Sequence, residues 1–365
     1  MKFTLLFCLL FIISCSKIRP EPAIRDLSFF HPVWYKNLDP IHDAGNLPIG
    51  FATPLIHENR VFVADLKGQI SCFDLESGRV LWSHLEDSPL GGQLAILNDH
   101  VLYASYSGRV YSRAWRTGEI KYAVDLKAPI ESAPTFYQGR MFIHMRNHQL
   151  MALDSETGKI LWSYKRAVPF ATTLQRVARP LVVANKLFIG FADGFVAAFS
   201  IEEGVMLWER KLSFASKFVD VDIHPQIFDK LLLVSSSEGP LSFLNPENGE
   251  ISSTLPIAPG HTPLIQGDKL IFGTQAGQIV VIDRNRQIQH QSAISETGLS
   301  AMTVWKGMYV FTNFQGDVLV VDSKTLAVIE KRHLGQAYST VFGELAVSGK
   351  YLAIYSSRNR LYIFR

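Results

Sequence analysis

The chain has 365 residues, of which 47% are hydrophobic and 19% charged, against about 25% charged in an average soluble chain. That composition excludes a disordered protein and supplies enough apolar material for a large core. The 36 basic and 33 acidic side chains leave a net charge of +3 without the basic clustering of a nucleic-acid binder, and three cysteines (Cys8, Cys15, Cys72) are too few for a disulfide scaffold.

Met1-Lys2 precedes an uncharged apolar run from Phe3 to Ile13. A membrane-spanning helix needs roughly 20 residues, so this run reads instead as the apolar core of a secretory signal. It ends in Ser14-Cys15, which resembles the bacterial lipobox. The resemblance implies a signal peptide over residues 1–14, cleavage before Cys15 and acylation of Cys15, palmitate included. Several acyl chains suffice for stable anchoring. Ser16, where Asp would favour the inner membrane, implies the outer membrane by the same resemblance. An ordinary signal peptide that happens to contain a cysteine is the other reading. Residues 15–32 then form a proline-containing tether, able to span on the order of 50 Å when extended. Cys72 sits in an apolar strand pattern and is expected to be buried and inert.

From residue 33 to 365 one unit recurs eight times. Taking Gly68 as origin, equivalent turn positions are Gly108, His148, Gly194, Gly239, Gly277, Gly316 and Asn359. Fourteen residues before each lie Pro54, Leu94, Pro134, Pro180, Pro225, Pro263, Met302 and Leu345. Ten after come Gly78, Gly118, Gly158, Gly204 and Gly249; fourteen after come Trp82, Tyr122, Trp162 and Trp208, then Ser253, Gln291 and Glu330. The register within a copy holds while the length between copies varies, as expected of a self-contained supersecondary unit.

Each copy reads as four short strands, in the first near Phe51–Ile56, Arg60–Ala64, Gln69–Phe73 and Arg79–Ser83. Eight such units predict an all-β, eight-bladed β-propeller of four-stranded antiparallel blades, forming a single domain over residues 33–365. The eighth copy ends after three strands, whereas Pro32-Val33-Trp34-Tyr35-Lys36-Asn37-Leu38 matches the fourth-strand pattern. The N-terminal strand should therefore complete the last blade and close the ring. The pattern Asp74 to Gly78 to Trp82, repeated at Asp154 to Trp162, resembles the tryptophan-docking motif of the PQQ-like repeats. Trp34, Trp82, Trp162 and Trp208 are accordingly read as packing residues.

Catalytic and metal-binding patterns are not found. The quinoprotein dehydrogenases that share the repeat carry adjacent cysteines over their cofactor, and this sequence has none. No cofactor, catalytic group or metal ligand set is assigned. His144 and His148 are four apart in a hairpin, where they need not share a face. Asp220 and Asp222 alternate and would point the same way if extended, as a solvated or partner-facing pair.

The longest connections between copies are consecutive, over about residues 163–179 and 209–224. They emerge side by side, with Lys165, Arg166, Arg176, Arg179 and Phe170 on one and Lys211, Lys217, Phe214 and Phe218 on the other. Mixed charge with aromatics on scaffolded loops suits a protein interface. Taken with the anchor, tether and eight copies, the stretch Phe191-Ala192-Asp193-Gly194 through Trp208, then Val219-Asp220-Val221-Asp222 and Pro225, resembles the BamB family of outer-membrane β-barrel assembly lipoproteins. The resemblance implies a non-catalytic scaffold, lipid-anchored at the periplasmic face of the outer membrane. It implies as partners a POTRA domain of the barrel-forming core subunit, other assembly lipoproteins and nascent outer-membrane proteins, with no nucleic acid. Its docking residues fall on Asp220 and Asp222 and, less completely, on Leu174, Gln175 and Arg176. The alternatives are a PQQ-dependent dehydrogenase-like quinoprotein and a periplasmic binding module for another envelope partner.

Overall fold

A computed structural model describes residues 29–39, 52–168, 177–212, 219–236, 239–335 and 339–365. These residues form eight four-stranded antiparallel sheets, seven of them built from strands in simple chain order. There is no helix among them. The chain is an eight-bladed β-propeller.

Blade 1 comprises Leu55–His57, Arg60–Ala64, Gln69–Asp74 and Val80–Leu85. Its fourth strand starts one residue later and ends two later than the sequence suggests. A β-bulge lies between Cys72 and Phe73 and recurs at the same step of blades 2 to 7. Such a bulge adds local twist. Just beyond it Asp74, Asp154 and Asp322 each close the turn, accepting from the backbone N–H and the hydroxyl of Ser77, Thr157 and Thr325. The hydroxyl and N–H donors hold these carboxyls below their usual range.

Burial follows from position in the wedge. The second and third strands lie between neighbouring blades and are buried on both sides, as in Arg60–Ala64 and Leu241–Leu244. The fourth strands face outward and alternate, as in Ile160–Lys165. Eight apolar clusters result, one at each blade interface. Cys72 lies in the cluster between blades 1 and 2, fully buried; burial pushes its thiol up to about 11.

The ring closes through the N-terminal strand Pro32–Asn37, which pairs antiparallel with Arg360–Phe364 and sets Trp34 opposite Ile363. Packing begins before that strand, within the segment read as tether. Phe30 is buried and stacks on Trp305 at 5.7 Å, and Lys306 Nζ donates to the Phe29 carbonyl at 3.2 Å.

The tryptophans join one blade to the next. The indole N–H groups of Trp34, Trp82, Trp162 and Trp208 donate to the carbonyls of Leu75, Trp115, Ile201 and Pro246, each in the following blade, at 2.9 to 3.1 Å. Tyr122 does the same through its hydroxyl to Ser155 at 3.0 Å. The repeat glycine accounts for the fit. Gly204 has φ +68°, and a Cβ there would lie 2.5 Å from the Trp162 ring. The Gly and Trp of one copy therefore serve two different interfaces.

Candidate functional site

Of the candidate interface residues, Leu174, Gln175 and Arg176 lie outside the described residues, as do Cys15, Phe170, Phe214, Lys217 and Phe218. The flanks of both long connections are described, and they are tied to the blades.

Arg166, just after the fourth strand of blade 3, spans to blade 4. Its Nε donates to Asp193 at 2.6 Å and its Nη1 to Glu209 at 2.7 Å, with the guanidinium over the Phe191 and Phe195 rings. It serves the junction of blades 3 and 4 rather than standing free as loop charge.

The Asp220-Val221-Asp222 segment is irregular backbone, not a strand. The Val221 N–H donates to the Phe191 carbonyl at 3.1 Å, and Ile223 N–H to Ser235 at 3.3 Å. Gly190 of blade 4 lies so close that a Cβ there would sit 2.2 Å from the Val221 carbonyl oxygen. The segment is thus wedged between blades 4 and 5. Asp220 is 2% exposed, so it is not the solvated carboxylate the alternation suggested, and its charge acts on His148. Asp222 is half-buried and lines the axial cavity.

His144 and His148 do come together, with ring centroids 5.7 Å apart. His148 takes a turn position that is glycine in most copies, at φ +58°, which directs its side chain inward against Phe191. Burial holds both rings below the ordinary histidine range, His144 at about 3. Among the described residues, no three His, Cys, Asp or Glu side chains are grouped to hold a metal.

The axial cavity, of about 570 Å³, escaped the sequence reading. Its wall takes residues from seven blades, at chain separations that no local motif reports. Polar groups come from Gln93, Arg179, Asp222, His224, His261 and Glu344, and apolar surface from Met302, Leu264, Phe314 and Phe342. One sequence signal was present: His224 and His261 stand just before the repeat prolines Pro225 and Pro263, at the entry to the innermost strands.

Comparison with known proteins agrees with this architecture. A curated relative from Yersinia pestis, "Outer membrane protein assembly factor BamB", is 23% identical over 275 residues, 70% of each chain. One of the same name from Kangiella koreensis is 22% identical over 342 residues, covering 91% of this chain and 88% of its own. Among solved structures, BamB from Moraxella catarrhalis superposes with a TM-score of 0.75 at 18% identity, over 92% of this chain and 99% of that one. Quinohemoprotein alcohol dehydrogenase from Comamonas testosteroni gives 0.73 at 11% identity, over 92% of this chain and 76% of that one; at such identities the likeness is one of fold. The family model described as outer membrane protein assembly factor BamB matches residues 66–287, more than half of the sequence, and the chain belongs to that family.

Proposed function

We propose that this chain is a non-catalytic scaffold of outer-membrane β-barrel assembly, held by acylated Cys15 at the periplasmic face of the outer membrane. It docks a POTRA domain of the core barrel subunit through the connections that flank blade 4, sits beside the other assembly lipoproteins and assists nascent outer-membrane proteins. The observation that carries the reading is the wedged Asp220-Val221-Asp222 segment in a chain of this family. A backbone clamped at Phe191 and Ser235 presents Asp222 in one fixed geometry, which lowers the ordering cost of binding.

Co-purification of the tagged protein from detergent-solubilised envelope tests it. The core subunit is expected in the eluate, and Asp222→Arg is expected to deplete it at least tenfold while the melting temperature holds, since one buried charge contact at an interface is worth about 2 kcal/mol or more. Recovery of the protein free of every assembly subunit, before any substitution, would refute the reading. Asp220→Arg is the poorer probe, because Asp220 is buried and its reversal disturbs the fold itself.

A further inference from the structure

The axial cavity contains a cation, Arg179, that forms no ion pair among the described residues. Arg179 enters blade 4 from the long connection. Its backbone N–H donates to His224 Nδ1 at 2.9 Å, and its guanidinium reaches Gln93 Oε1 of blade 2, two blades away, at 3.5 Å. Among the described residues it forms no ion pair, although Arg166 nearby forms two. A half-buried guanidinium left so is unusual, because partial desolvation is ordinarily offset by an anion.

The neighbouring groups extend the pattern. Since His224 Nδ1 accepts a hydrogen bond, the ring proton sits on Nε2, which faces Glu344 Oε1 at 3.7 Å. His261 on the next blade accepts from the Gly273 N–H at 2.9 Å through Nε2 and donates through Nδ1 to the Thr262 carbonyl at 3.0 Å. Three carboxylates line the cavity: Glu131 is engaged by Arg146 at 3.1 Å, Glu344 stands beside His224, and Asp222 is half-buried in the wall. Apolar surface comes from Met302, Leu264 and Leu345 together with Phe314 and Phe342, whose rings are 6.2 Å apart, interspersed with polar groups such as Gln226, Ser300 and Thr303. Phe314 is 41% exposed, a large ring left uncovered in the cavity wall. A volume of about 570 Å³ suits a small organic molecule.

We propose that the axial cavity binds a small organic monocarboxylate with an apolar or aromatic body. The Arg179 guanidinium and the Nε2–H of His224 take the carboxylate; Met302, Phe314 and Phe342 take the body. The Glu344 charge disfavours a second negative charge, which separates this class from phosphates and dicarboxylates. The site adjoins the docking surface, since Asp222 lines the same cavity, but its test reads small-molecule binding and so fails or succeeds apart from co-purification.

Isothermal titration of the purified full-length protein with N-acetyl-L-phenylalanine tests the proposal, with N-acetyl-L-phenylalanine amide as the uncharged twin and inorganic phosphate as the small anion. The acid is expected to bind at least tenfold more tightly than the amide, and phosphate not at all. Arg179→Gln should weaken the acid at least tenfold, and Glu344→Gln should tighten it severalfold by removing a like charge. Equal binding of acid and amide, binding that survives Arg179→Gln unchanged, or no binding of the acid at millimolar concentration would each overturn it. Should Arg179→Gln fail to fold, the acid-against-amide comparison on the unsubstituted protein decides alone.

Discussion

Two glycines with nearly the same backbone separate conformation from packing at single residues. Gly204 and Gly267 have φ of +68° and +61°, but a Cβ at Gly204 meets the Trp162 indole, whereas at Gly267 it meets nothing within 4 Å. Gly267→Ala should cost only the left-handed backbone, about 1 kcal/mol. Gly204→Ala should add the displaced ring, for about 2–4 kcal/mol in all. Urea unfolding of the two variants checks this, and equal losses would mean that the glycine is kept for its turn alone. Buried His144 and half-buried His224 and His261 give a second prediction. Burial pushes His144 down to about 3 and His224 and His261 to about 4, from an ordinary 6.5. The unfolded chain therefore takes up protons at these rings near pH 6.5 while the folded chain does not. The stability they contribute is complete above that pH and falls as pH drops toward 4, by about 1.4 kcal/mol per unit for each ring. The urea midpoint should decline between pH 7 and pH 4.5, and His261→Gln should make the decline shallower. A midpoint flat across that range would refute the assignment of neutral rings.

At the scale of strands and blades, the closing strand is the element whose loss matters most. Trp34 both fills the junction of blades 8 and 1 and donates to the Leu75 carbonyl at 2.9 Å. Trp34→Phe should keep most of the packing and lose the hydrogen bond, about 1 kcal/mol. Trp34→Ala should lose about 3 kcal/mol or more and loosen the seam, read as protease cleavage near the chain ends that Trp34→Phe does not show. This closure was legible because a fourth-strand pattern stood alone at one end of the sequence and a three-strand copy at the other. The middle strands were legible too, since a strand sandwiched between blades must be apolar on both sides. What escaped belongs to the contacts between copies. Gly204 and Trp208 share a motif yet pack on different neighbours, and a one-dimensional pattern records the spacing but not the partner. His144 and His148 meet because the turn places His148 at positive φ, and Asp220 is buried because its backbone leaves the strand geometry that alternation assumes. The cavity wall draws on seven blades, and only the closed ring assembles it.

Around the whole ring the eight junctions are not equivalent, because the docking aromatic is present in only part of it. Trp34, Trp82, Tyr122, Trp162 and Trp208 secure the junctions from blades 8 and 1 through blades 4 and 5. At the same position the next three blades carry Ser253, Gln291 and Glu330. Between blades 5 and 6, Arg286 substitutes by donating to Ser252 and Ser253, at 3.2 and 2.9 Å, and lying over Phe243. Between blades 6 and 7 the tie is Tyr309 to Gln266 at 2.5 Å. Between blades 7 and 8 both carboxylate oxygens of Glu330 are buried without a hydrogen-bond partner among the described residues, and the burden passes to Trp305, whose indole reaches the Lys350 carbonyl at 3.0 Å beneath Phe30. Since each blade packs its apolar faces only on its neighbours, stability along such a ring is close to a sum over junctions, and the ring should open first where the junctions are thinnest. Hydrogen exchange of the intact protein is therefore expected to show the second and third strands of blades 6 and 7, Lys269–Gly273, Gln278–Ile282, Met308–Asn313 and Asp317–Val321, exchanging before the matching strands of blades 1 to 4. Phe30→Ala should hasten that opening and extend it into blade 8, because it removes the ring that covers Trp305. Exchange that is uniform around the ring, or fastest in blades 1 to 4, would show that the docking aromatics do not set the order of opening.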